Sequence, residues 1–173
     1  MATRGDDPVN APLQRPRGPP GWPRPRRKGR AITAPSIQID IASDIVCPWC
    51  IIGWRQLERA IKTTGVDAQV RWHPFELNRD MPPEGQNLRE HIARKYGSTP
   101  EDGAQARAHL IALGDELGFK FGYGDTSRMV NAFDAHRLLH WAGTQGLGHP
   151  LKMALFSAYF TDGKDVSDRA VLI

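Results

Sequence analysis

The chain has 173 residues, 40% hydrophobic and 24% charged, which is ordinary for a globular protein and enough for one domain with a real core. Its formal charge of +4 is unevenly placed: residues 1–35 hold eight Arg or Lys against two Asp, and the remainder sums to −2. This argues against a basic nucleic-acid-binding fold, and no apolar run approaches the ~18 residues of a membrane-spanning helix.

Residues 1–35 also carry eight of the fourteen prolines and few aliphatic side chains, so they read as a disordered Pro/Arg-rich tail. Arg26-Arg27 hints at a twin-arginine signal, but the next segment reads as a strand, not an apolar signal segment. The expected location is the cytoplasm, with neither membrane nor nucleic acid as a partner.

Order is expected from Ser36, where Ile37, Ile39 and Ile41 alternate with polar residues as in a strand, and Ile45-Val46 extend the apolar run. After Cys47-Pro48-Trp49-Cys50 the period changes. Trp54, Leu57 and Ile61 fall at helical spacing up to Gly65, and Pro48 suits a first helical position. Val70 and Trp72 mark a second strand that ends, bulges or lies at an edge at Pro74. Strand, helix, strand in this length fits a right-handed βαβ unit over residues 36–86.

The rest reads as helix. Asn87 caps a segment through Tyr96, and Thr99-Pro100-Glu101-Asp102 opens another that stops at Gly118. A helix from Ser127 to Gly143 would carry Phe133, Arg137 and Trp141, with Trp141 in the core. One from Pro150 runs to Gly163, and Ser167 caps a last helix in which the sequence ends. Residues 87–166 are thus an all-helical part and 167–173 the start of a further segment. Two strands make a marginal sheet, so more sequence is expected beyond Ile173.

The two cysteines, Cys47 and Cys50, are too few for a structural disulfide framework, so they act together. A cysteine attacks as its thiolate, and a helix N-terminus lowers the thiol pKa from about 8.5. On this reading Cys47 is the solvent-facing nucleophile and Cys50 the resolving thiol one turn further in. Pro48 stiffens the turn and Trp49 offers an apolar contact to a peptide. A zinc site completed by His136 and His140 has the wrong spacing, so no metal is expected. These two histidines read as a partly buried helix face, and His73 as a strand-end surface residue. Asp44 would raise the Cys47 pKa, so strand-end hydrogen bonding is its expected role.

Ser43-Asp44-Ile45-Val46-Cys47-Pro48-Trp49-Cys50 with Ile52-Gly53 resembles the active-site stretch of DsbA-like thioredoxin-domain oxidoreductases of the FrnE-type branch. Trp72-His73-Pro74-Phe75-Glu76-Leu77-Asn78, Lys95-Tyr96-Gly97, Ala135-His136-Arg137-Leu138 and Leu155-Phe156 with Ala158-Tyr159-Phe160 continue the likeness in order. The resemblance implies an α/β thioredoxin-like βαβ unit with an inserted all-helical domain that covers the active site. It also implies disulfide exchange at Cys47 and Cys50 with protein or small thiol and disulfide substrates, without a bound cofactor. Family members continue past the helix near Ser167 with two strands, a helix and a cis-proline loop, so the chain is expected to be truncated at its C-terminus.

Two other functions stand beside dithiol–disulfide exchange. One is that of 2-hydroxychromene-2-carboxylate isomerases and kappa-class glutathione transferases, which the resemblance says need a single residue at the first-cysteine position. The other is an inactive truncated relic. Retention of both cysteines favours exchange, because only that chemistry needs a resolving thiol.

Overall fold

A computed structural model describes residues 36–173; the tail expected at 1–35 lies outside the described residues. The alternating isoleucines form β1, Ser36–Ser43, with Ile39 and Ile41 half-buried. Helix α1, Pro48–Thr64, places Pro48 in its first turn, where a missing N–H costs no hydrogen bond. It ends at Gly65, whose φ of 65° lets its N–H reach the Ile61 carbonyl. Strand β2, Asp67–Pro74, returns parallel to β1 in unbroken register, from Ser36 opposite Asp67 to Ser43 opposite Pro74. Pro74 occupies the last position, as its missing donor demands.

The helical part is not helical throughout. Strand β3, Gln86–Asn87, pairs antiparallel with β4, Arg128–Met129, so Ser127 does not open a helix. Its hydroxyl instead accepts the Gly124 N–H at 2.9 Å, and its carbonyl accepts the Leu88 N–H at 2.9 Å. The helices are α2, Leu88–Tyr96, capped by Asn87, and α3, Pro100–Glu116, opened by a capping box between Thr99 and Asp102. Then come α4, Phe133–Thr144, and α5, Gly148–Phe156, which runs into a π-helical turn, Ser157–Thr161. In α6, Arg169–Leu172, Asp168 caps in place of the expected Ser167 by accepting the Ala170 N–H.

Trp141 is a second correction. The buried face of α4 is Ala135, His136, Leu139 and Ala142, which turns Trp141 outward to 59% exposure.

Two apolar clusters flank the cysteine segment. Ile45 and Val46 before it pack with Met129, Val130, Ala135, Leu139 and Leu155. Ile51, Ile52 and Trp54 after it pack with Phe119, Phe121, Phe156 and Phe160. Each such side chain contributes on the order of 1.5–3 kcal/mol on burial, so the four-residue motif is fixed from both ends.

Candidate active site

Strand β1 ends at Ser43, and the buried turn Asp44-Ile45-Val46 carries the chain to Cys47, the N-cap of α1. With φ −97° and ψ 113°, Cys47 is still extended while its carbonyl already accepts the Cys50 N–H at 3.1 Å. No side chain caps the helix, so the first-turn N–H groups are free to serve a sulfur. The Trp49 and Cys50 N–H groups do so at Cys47. Both cysteines are half-buried and free.

The two sulfurs interact directly enough to share a proton, and this governs their ionisation. The Cys50 thiol is pulled down to about 6, first by the Cys47 S–H it accepts, with further help from the Ser43 hydroxyl, the Asp44 N–H and the Lys152 ammonium. Cys47, holding the shared proton, is pushed up by that same bond and by burial. The depressed thiol that the sequence led one to expect is therefore found in the pair, which loses its first proton near pH 6. The physical reason is the one proton between two sulfurs, which makes the first ionisation a property of the pair.

Only Cys47 of the two faces the adjacent cleft, a cavity of about 300 Å³ lined also by Pro48, Trp49, Leu110, Tyr123 and Met129. Arg89, Lys95 and Arg107 stand among its lining residues without an acidic one, so the cleft is apolar with a cationic margin. Trp49 is 53% exposed, with its ring centre 6.2 Å from that of His109 on α3. Pro48 and Trp49 thus border the cleft.

Asp44 makes the strand-end hydrogen bonds foreseen for it, accepting from Val46 N at 3.2 Å and Leu77 N at 2.7 Å. It also accepts from His136 Nε2 at 3.2 Å, a contact across 92 residues that the sequence did not disclose. His136 is buried and His140 exposed, and both line a surface cleft with Arg79 and Phe133 that does not include the cysteines. The two histidines are therefore not gathered at the cysteine pair. His73 is exposed and bonded to Asp40 at 2.8 Å.

Lys152 was missed. Its signal was present: Lys152, Leu155, Phe156 and Tyr159 share one helical face, so the lysine falls on the buried side of α5.

The family model of the DSBA-like thioredoxin domain matches residues 38–173. The chain belongs to that family. The DSBA-like domain here shares 30% identity and a TM-score of 0.71 with the crystal structure of a probable DsbA oxidoreductase, SCO1869 of Streptomyces coelicolor, over 76% of this chain and 57% of that one. It is 26% identical to the uncharacterized protein YwbO of Bacillus subtilis, over 79% of this chain and 63% of YwbO. A 2-hydroxychromene-2-carboxylate isomerase matches 78% of this chain and 61% of its own at 14% identity and a TM-score of 0.53, a likeness of fold alone. The chain therefore spans about six-tenths of the length of these relatives.

Proposed function

We propose that the chain is a dithiol–disulfide oxidoreductase working through Cys47 and Cys50. The observation that carries this reading is the paired geometry: two free cysteines in the first turn of a helix, with only Cys47 on the cleft. A proton crossing from Cys47 to Cys50 puts the thiolate on Cys47, where the Trp49 and Cys50 N–H groups receive it. That thiolate attacks one sulfur of a substrate disulfide, and the other substrate sulfur leaves with the bonding pair and takes up a proton. Cys50, deprotonated, then attacks Cys47, and the Cys47–Cys50 bond forms as the second substrate sulfur leaves. The substrate gains two electrons and becomes two thiols, and the cysteine pair loses two. An external thiol restores the pair. In a reducing compartment such as the cytoplasm the chain would run as a reductase or isomerase.

An isomerase of the single-residue type would leave Cys50 without a task, whereas here Cys50 ionises jointly with Cys47. The test is a pair of variants. Cys47→Ser should abolish exchange with a peptide disulfide, and Cys50→Ser should accumulate a mixed disulfide visible by mass spectrometry. Wild-type turnover in both variants would refute the reading. Isomerase activity that needs added glutathione and survives Cys50→Ser would replace it.

A further inference from the structure

Lys152 lies at 0% exposure within α5, a place where lysine is almost never found unpaired. Its Nζ donates to the Ser43 carbonyl at 3.3 Å, and its other close neighbours are aromatic faces. The Phe156 ring centre is 4.7 Å away and that of Trp72 5.4 Å. One hydrogen bond and two rings are poor solvation for a group with three donors. Packing does not explain the charge either, since a methionine of similar length would fill the volume.

The anions around it do explain it. Asp44, at the end of β1, attracts the ammonium but is already served by His136, Val46 and Leu77. The remaining anionic partners are the cysteine sulfurs, Cys50 foremost. The link is short. Lys152 holds the carbonyl of Ser43, the last residue of β1 before the buried turn that leads to Cys47, and its charge acts on Cys50.

We propose that Lys152 is the internal counter-charge of the cysteine pair, a positioning residue that holds negative charge on Cys50 from the buried side while Cys47 meets substrate in the cleft. The proposal rests on the dithiol reading and deepens it. A buried cation favours the reduced thiolate over the uncharged disulfide, so it makes the oxidised pair a readier electron acceptor. In the mixed disulfide it favours the thiolate form of Cys50 that attacks Cys47. The new S–S bond joins Cys50 to Cys47, and the substrate sulfur departs with the electron pair and takes a proton from water.

The attraction is mutual. Burial pulls the Lys152 amine down to about 8, while Cys50, Asp44 and Cys47 pull it back up. When the disulfide forms, the sulfur charge vanishes, so the ammonium should lose its proton more easily in the oxidised chain. The other charged groups facing this site are His136 of α4, bonded to Asp44, and His149 on α5 itself. His149 is held toward its neutral form by burial, and its Nδ1 accepts the Trp72 indole N–H. Trp72 of β2 and Phe156 bring no charge.

The experiment uses the full chain with Lys152→Met and Lys152→Gln, reading thiolate absorbance against pH and the reduction potential in glutathione buffers. Both variants should raise the thiolate midpoint by about one unit, a tenfold change in ionisation. Both should make the pair more reducing by about 30 mV, the same tenfold factor in the exchange constant. An unchanged midpoint in the two folded variants overturns the proposal. So does a shift that differs in sign between them, since a packing role rather than a charge would then be acting. A second measurement needs no variant: wild-type chain labelled with carbon-13 lysine should show one amine whose pKa falls on oxidation. Equal values in the two redox states also overturn it, whether or not the variants fold. A wild-type pair that never equilibrates with glutathione refutes the dithiol reading instead, and the thiolate titration still decides the role of Lys152.

Discussion

Asp44 and His136 meet at 3.2 Å, both almost fully buried, and tie the end of β1 to α4 directly beneath the cysteine turn. Burial alone would raise the Asp44 pKa, but the His136 contact and the Leu77 and Val46 N–H groups outweigh it, and the net direction is down. A carboxyl with a depressed folded pKa contributes stability that is present above its unfolded value of about 3.9 and is lost as pH falls through the folded one. Acid unfolding should therefore carry an Asp44 component below pH about 4. Asp44→Ala should remove that component and cost about 3 kcal/mol, because His136 and two N–H groups lose a buried acceptor. Urea denaturation at pH 7 and pH 3 checks both. An Asp44→Ala penalty as large at pH 3 as at pH 7 would contradict the account.

The cysteine pair predicts a difference between redox states. In the folded reduced chain the pair loses one proton near pH 6, whereas two unfolded thiols hold theirs to about 8.5. Between these values the unfolded chain binds one more proton than the folded one, so stability of the reduced form rises with pH. It should rise by about 1.4 kcal/mol per pH unit relative to the disulfide form, in which this term is absent. Comparing denaturation of the two forms at pH 6.5 and 7.5 cancels the histidines common to both. Parallel pH curves would show that the pair carries no thiolate.

What could be read from the sequence was what is local. Pro48 at a helix start, Gly65 at its end, the Asn87 cap and the Thr99–Asp102 box each depend on neighbours within four residues, and each formed as expected. The β3–β4 ladder was not legible, because it joins Gln86–Asn87 to Arg128–Met129 across some forty intervening residues without strand-like alternation. Trp141 was misplaced for a related reason. Aromatic character suggested core, but the buried face of α4 is set by Ala135, His136, Leu139 and Ala142. At the site, the CxxC pattern disclosed the two sulfurs, while the buried cation that acts on them, Lys152, lies 102 residues from Cys50.

Two helical glycines should respond to alanine in opposite directions. A Cβ at Gly114 in α3 would stand 2.5 Å from the Phe119 carbonyl oxygen and 2.7 Å from Phe121 Cδ2. The carbonyl is fixed, since it belongs to the turn that brings the Phe119 N–H onto Gly114 O at 2.8 Å. Gly114→Ala should therefore destabilise by about 1–3 kcal/mol through overpacking. Gly53 in α1 has nothing within 4 Å, so Gly53→Ala should stabilise by up to about 1 kcal/mol through helix propensity. Thermal melts of the two variants decide it, and a stabilising Gly114→Ala would show that α3 does not pack on the Phe119–Phe121 segment.

The cleft predicts a split between large and small substrates. Ala106 lines it from α3, while Cys47 and Trp49 line it from the start of α1. An indole introduced by Ala106→Trp would occupy much of a cavity of about 300 Å³ while leaving both cysteines and the helix start that carries them unaltered in sequence. A peptide disulfide that needs the cleft for an apolar side chain should then exchange about tenfold more slowly, the scale of a lost pocket contact. A small disulfide such as oxidised dithiothreitol needs only access to the Cys47 sulfur and should be little affected. Rates for the two substrates are compared at one pH with the same chain. Equal slowing of both would mean that the variant disturbs the cysteine pair itself, and equal retention that peptides reach Cys47 without entering the cleft.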